Sequence, residues 1–141
     1  MKDKVCKFRE AFSEVIHTSK DVPEDLKAFP AGACEVASIM LMTYLNSSDY
    51  SEITYVSGSR IQPNGDQMEY HSFLKYRDLF IDITGSQFDD CEDELIILVS
   101  DHPLHKSFDL EDRGSTDIYE YSNDLVNYVP IYEKVTSLIN T

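Results

Sequence analysis

The stretch that most limits the fold is Phe29-Pro30-Ala31-Gly32-Ala33-Cys34-Glu35-Val36-Ala37-Ser38. Pro30 and Gly32 are turn residues, so the chain reverses here. Ala37, Ile39, Met40, Leu41, Met42, Tyr44 and Leu45 follow at once, an apolar run compatible with a buried helix reaching about Leu45. Cys34 then falls in the first turn of that helix. Unpaired backbone N–H groups and the positive end of the helix dipole favour an anion at such a place. Cys34 is therefore a candidate nucleophile, provided the chain also supplies a base and an orienting carboxylate.

The 141 residues suffice for one compact domain with a real core, so residues 1–141 read as a single unit. Hydrophobic residues make up 42%, which excludes a wholly disordered chain. Twenty-six acidic residues against twelve basic ones give a net charge of −14. Nucleic acid and anionic membranes would be repelled, whereas a cationic protein partner would be suited. Met1 to Val5 lead into a charged amphipathic segment without the apolar core of a signal peptide, and no apolar run approaches the length of a membrane span. Cys6, Cys34 and Cys91 are odd in number and irregularly spaced, unlike a disulfide framework. A reducing, cytoplasmic setting is expected.

Val5, Phe8, Phe12, Val15 and Ile16 recur at helical spacing and predict a surface helix to about His17. Thr18 to Ala28, with Pro23, reads as a loop holding one helical turn. Asn46-Ser47-Ser48-Asp49 ends the Cys34 helix. The middle of the chain predicts strands over Ile53–Gly58, Met68–Tyr76, Leu79–Thr84 and Leu95–Val99, the last continuously apolar and expected at the centre of the sheet. Arg60 to Gln67 reads as a turn-rich connection, and Ser100 to Thr116 as a long loop. Pro130 is placed to open a final helix carrying Ile131, Val135, Leu138 and Ile139. The expected architecture is α+β, with the nucleophile helix packed on an antiparallel β-sheet and flanked by further helices.

His71 lies inside the second strand and Asp82 inside the third. If Arg77-Asp78 forms a two-residue hairpin, positions whose numbers sum to about 155 face one another. His71 and Asp82 then occupy diagonal positions on one face, within hydrogen-bonding reach. An Asp among apolar neighbours needs such a partner. Thiol, imidazole and carboxylate together make the set that nucleophilic catalysis uses, with Cys34 attacking, His71 moving the proton and Asp82 holding the imidazole. Gln62, Gln67 and Gln87 are candidate donors to an oxyanion. His102 and His105 fit a loop or cleft lining better than a metal site with Asp101 or Asp109, and no metal or other cofactor is called for. Asp89 to Glu94, around Cys91, reads as a solvated acidic loop that would repel a thiolate.

Cys at a helix start, then His and Asp on adjacent antiparallel strands, resembles the transglutaminase-like and papain-like cysteine enzymes. The stretches that carry this are His71-Ser72-Phe73 and Ile81-Asp82-Ile83-Thr84, with Phe73 where the larger enzymes usually have Trp. Phe29-Pro30-x-Gly32-x-Cys34 and Ile81-Asp82-Ile83-Thr84-x-x-Gln87-Phe88 also resemble small bacterial and phage-associated proteins of that kind. Gly32-x-Cys34-Glu35 and His71-x-x-Leu74 are similar, more weakly, to arylamine N-acetyltransferases. The resemblance implies a papain-like or transglutaminase-like fold and a peptidase, amidase, deamidase or transglutaminase-type reaction on a protein, peptide or small amide. The rival expectation, favoured by the charge, is a non-catalytic acidic binding or inhibitor protein on the same scaffold, masking a host protein or holding a small ligand.

Overall fold

The computed structural model describes residues 1–30, 32–48, 50–91, 96–123 and 126–141. Helix α1 (Lys2–Thr18) buries Val5, Phe8, Ala11, Phe12, Val15 and Ile16 on one stripe and leaves its charges outside. Helix α2 (Cys34–Asn46) is different: Val36 to Thr43 and Leu45 are all buried, so it is apolar on every side and runs through the centre. Helix α5 (Val129–Ile139) packs on α1 and supplies Ile131, Tyr132 and Val135 to the same core. Pro130 stands at its start, where a missing N–H costs nothing.

Five antiparallel strands form one open sheet in the order β4-β3-β2-β1-β5. They are β1 (Thr54–Ile61), β2 (Met68–Tyr76), β3 (Leu79–Asp82), β4 (Ile97–Val99) and β5 (Asp109–Asp112). The β2–β3 hairpin turns on Arg77 and Asp78, with Arg77 at φ 55°, and pairs Leu74 with Ile81, Lys75 with Phe80 and Tyr76 with Leu79. Each pair sums to 155, the register expected from the sequence. The α+β class and the helices flanking an antiparallel sheet are thus present.

Several boundaries differ from expectation. Strand β1 does not stop at Gly58 but runs to Ile61, where its ladder with β2 continues through Arg60–Glu69 to Ile61–Met68, and the Arg60 guanidinium there also binds Glu69 and Asp90. The apolar strand at Ile97–Val99 is an edge rather than the centre of the sheet. Ile97 is buried because helix α3 (Pro103–Lys106), not another strand, covers it, packing Leu104 in the same small cluster. Leu95 lies outside the described residues. Ser100 to Thr116 is not one loop: it contains α3 and β5. Strand β5, Asp-Leu-Glu-Asp, has every residue exposed and exists through its ladder with β1 alone, so no alternation of apolar residues announces it. A charged edge of this kind discourages further pairing. A one-turn helix, α4 (Ile118–Tyr121), buries Ile118 beside α2. Among the described residues no helix is long and apolar enough to cross a membrane.

The two sheet faces bury different things. Leu74 and Ile81 join the main core under the helices. Their neighbours Phe73 and Phe80 point the other way, as strand alternation requires, and meet His105. Phe88, Cys91, Ile97, Leu104 and Phe108 form a second cluster on that side.

Candidate functional site

Gly32, at φ 73°, takes the left-handed conformation that glycine tolerates, and Ala33 caps α2. Cys34 is the first residue of the helix, as the sequence predicts, and it is half-buried. Ser38 stands one helical turn further on the same face. The β2–β3 ladder ends at Leu74–Ile81, so Ser72 has no partner on β3. The Ser38 hydroxyl donates to the Ser72 carbonyl at 3.1 Å, filling that gap. The same helical face brings Cys34 to His71, the residue before Ser72. The Cys34 thiol is among the groups that raise the proton affinity of this imidazole, after Asp82.

His71 and Asp82 are both fully buried. His71 Nε2 lies 2.6 Å from Asp82 Oδ2, as the hairpin register requires. The same carboxylate oxygen is 2.7 Å from Nε2 of His105, also buried. An ionised carboxylate only accepts hydrogen bonds, so both imidazoles carry their proton on Nε2 and donate it. The Thr84 backbone N–H donates to Asp82 Oδ1 at 3.0 Å. Burial opposes the charge on Asp82, but the His71 charge and the bonds from the two histidines outweigh it and hold the carboxyl below its usual range. Burial likewise opposes a charge on His71. The Asp82 charge and hydrogen bond, with a further push from Cys34, overcome it and raise the imidazole to about 9.

Once Nε2 is committed to Asp82, the Nδ1 atom of His71 is left for other chemistry. It is buried and has no hydrogen bond of full geometry, and Cys34 is the side chain besides Asp82 that acts on the ring's proton affinity. The order Nδ1, ring, Nε2, carboxylate is thus laid out across β2 and β3, with Cys34 at the start of α2.

The surroundings fix these groups. Phe73 stacks on His105 with ring centroids 4.1 Å apart, and Phe88 meets His71 edge-on at 4.9 Å. A Cβ on Gly85 would stand 3.0 Å from Asp82 Oδ2 and 2.9 Å from Ile97, so any larger residue would displace the carboxylate or the Ile97 side chain. Arg9 of α1 donates to the Ile83 carbonyl at 3.0 Å; burial lowers its pKa, and the Asp82 charge acts in the opposite direction.

Among the described residues, His71, Asp82 and His105 are the group of His, Cys, Asp or Glu close enough to share a metal ion. Their spacing argues for protons. Ligand atoms bound tetrahedrally at zinc distances stand roughly 3.3 Å apart. The 2.6 and 2.7 Å separations are those of charge-assisted hydrogen bonds.

The structure therefore brings His71 and Asp82 together, with Cys34 at the start of α2, and adds residues that sequence reasoning missed. His105 is not a loop or cleft-lining residue: α3 sinks it into the second cluster, where Asp82 supplies its partner. The signal available was Pro103-Leu104 before it, a helix start with a buried Leu. His102 caps that helix by accepting from the Leu104 N–H at 3.0 Å. Ser38 and Gly85 gave no signal of their own.

The three glutamines do not gather around Cys34. Gln62 and Gln87 line a separate hollow of about 250 Å³ with Arg60, which neither Cys34 nor His71 borders. Gln67 is exposed at the β1–β2 turn. Nor is the acidic loop merely solvated where it is described: Asp90 pairs with Arg60, and Cys91 is buried. Comparison with known protein families, with curated proteins and with solved structures gives no match, so the chemistry is read from this geometry alone.

Proposed function

We propose that this chain is a cysteine-dependent hydrolase or acyl-transferase acting on amide bonds, on a scaffold of transglutaminase-like or papain-like kind. The observation that carries the reading is the committed imidazole. His71 Nε2 is bound to a fully buried Asp82 at 2.6 Å, and the Cys34 thiol of the α2 first turn acts on the same ring. A structural histidine has both nitrogens satisfied, whereas a general base needs one kept for the reaction.

In the mechanism, His71, raised to about 9, already holds a proton on Nδ1 at neutral pH, and Cys34 Sγ attacks the carbonyl carbon of the amide as the thiolate paired with that imidazolium. The resulting oxyanion meets the Cys34 N–H, which at the first position of a helix has no intrahelical acceptor. As the C–N bond breaks, the leaving amine takes the proton from His71 and an S-acyl thioester remains on Cys34. Water, deprotonated by His71, releases a carboxylic acid; an amine in its place gives a new amide. Asp82 stays ionised throughout, accepts from Nε2 and so keeps Nδ1 as the nitrogen that gives and takes the proton.

Thiol labelling with iodoacetamide at neutral pH, followed by mapping of the labelled peptides, tests this. Cys34 is expected to react at least about tenfold faster than Cys6, and His71→Ala to remove that advantage. Labelling of Cys34 no faster than Cys6, unchanged by His71→Ala, would sink the reading.

A further inference from the structure

The sheet face beside α2 is uncovered at one end. Along β1 and β2, Ser57, Ser59, Tyr70 and Ser72 lie on the face whose next residue, Leu74, enters the main core. Beyond the end of α2 this face carries Ile61, Met68 and Tyr70, which are 62%, 50% and 68% exposed. Ile61 and Met68 are direct cross-strand partners, so the three make one patch rather than scattered exposures. Strand β5 adds Asp109 opposite Ser59 and Glu111 opposite Ser57. The patch leads into a cleft of about 480 Å³ bordered by Tyr70, Asp109, Glu111 and Arg113 on one side and by Glu35 and His71 on the other. Three carboxylates face one guanidinium there, and Arg113 is already engaged by Glu111 at 3.3 Å and by Ser57 at 2.7 Å.

We propose that this face docks the substrate of the Cys34 site, and that the substrate is a basic polypeptide segment interleaving Lys or Arg with apolar side chains. The cleft is bordered by the strand at His71 and carries Glu35, the residue after Cys34, so a chain lying in it reaches the start of α2, where Cys34 stands. The apolar patch receives the uncharged side chains, and Asp109, Glu111 and Glu35 receive the cations. The chain's net charge of −14 draws a basic partner in from a distance, whereas the three carboxylates give the contact its place. The inference rests on the proposed function for the consequence of docking, but not for docking itself.

The test uses the full-length Cys34→Ala protein and two fluorescein-labelled decapeptides, one alternating Lys with Val and one alternating Glu with Val, read by fluorescence anisotropy. The Lys–Val peptide is expected to bind and the Glu–Val peptide not to. Asp109→Asn with Glu111→Gln should weaken binding about tenfold, and Tyr70→Ser about fivefold, both with unchanged unfolding midpoints because these side chains are exposed. Glu14→Gln with Glu133→Gln removes the same charge from the α1–α5 side and should leave affinity within about twofold. Equal weakening by the two charge pairs, or no binding of the Lys–Val peptide, overturns the proposal. Anisotropy without the thiol reads docking alone, and iodoacetamide labelling without peptide reads Cys34 alone, so failure of one is distinct from failure of the other.

Discussion

Two buried charges lie on either side of the Phe88 and Phe108 rings, and they are treated differently. Arg60 has its Nε on Glu69 at 2.6 Å, and its other nitrogens on Asp90 at 2.9 and 3.0 Å and on Ser107 at 2.6 Å. Its flat face lies over Phe108, 4.4 Å from the centroid, and over Phe88 at 5.2 Å. That cation is satisfied, and it ties β1, β2, the turn at Asp89–Cys91 and the end of α3 into one block. Across the same rings, Asp82 is satisfied but its partners are not: His71 Nδ1 and His105 Nδ1 are buried without hydrogen bonds, with Thr84 Oγ1, Ser86 Oγ and Gln87 Nε2 close by in sequence. A network built for stability alone closes its hydrogen bonds, and one that must move a proton leaves an atom open. Arg60 is of the first kind, and the open atoms around Asp82 are those the proposed proton transfer would use.

Removing Asp82 should break the contrast most severely. Asp82→Ala leaves two buried imidazoles and the Thr84 N–H without their acceptor, a loss of about 3–5 kcal/mol by denaturant unfolding. Cys34 labelling should fall to the rate of Cys6, because His71 is no longer held. Arg60→Met should cost less, about 2 kcal/mol. Its partners Glu69 and Asp90 have side chains 20% and 41% exposed and can return to water, and a Met fills much of the space between the rings. Cys34 labelling should stay unchanged. A Cys34 rate that falls equally in both variants would show the two networks to be one.

The charges also separate by pH. His71 is raised in the folded chain from 6.5 to about 9. Its contribution to stability is therefore full below about 6.5 and disappears as pH rises through about 9. Asp82 is lowered, so its contribution is full above about 4 and disappears as pH falls through its folded value. Asp90, lowered by its hydrogen bond to Arg60, loses its share on the acid side only, since Arg60 keeps its proton at any ordinary pH. A stability loss between pH 7 and 10 is thus the mark of the Asp82 side. Its slope cannot exceed about 1.4 kcal/mol per pH unit for one proton, and it should vanish in His71→Gln but persist in Arg60→Met.

Much of one side of this comparison could be read from the residues in order, and little of the other. Cys34 is announced by its turn, and the hairpin by Arg77-Asp78 between two apolar strands, which fixes the approach of His71 to Asp82. Local chemistry sufficed because all three lie in strongly patterned elements. His105, Gly85 and the Arg60 network come from contacts distant in sequence or from a space requirement, which no window of residues carries. Strand β5 was invisible for a related reason: four exposed residues, three of them acidic, form a strand because β1 offers them an edge. The apolar run ending in Val99 misled in the opposite sense, since helical cover and a central place in a sheet write the same pattern.

Gly85 offers the finest probe of the difference between the two networks. Its missing side chain leaves the space that Asp82 Oδ2 fills, and a methyl group there would stand 2.9 Å from Ile97 and 3.2 Å from Leu104 as well as 3.0 Å from the oxygen. Ile97 and Leu104 sit in a packed cluster and can yield only in part, so Gly85→Ala should cost about 1–2 kcal/mol of stability. The more telling readout is the pH dependence of Cys34 labelling. Because Asp82 Oδ2 serves His71 and His105 at once, a displacement of a few tenths of an ångström weakens both bonds and lowers the proton affinity of His71. The midpoint of the labelling profile should move. If Gly85→Ala lowers stability by the expected amount and leaves that profile where it was, the close approach at Gly85 serves packing alone.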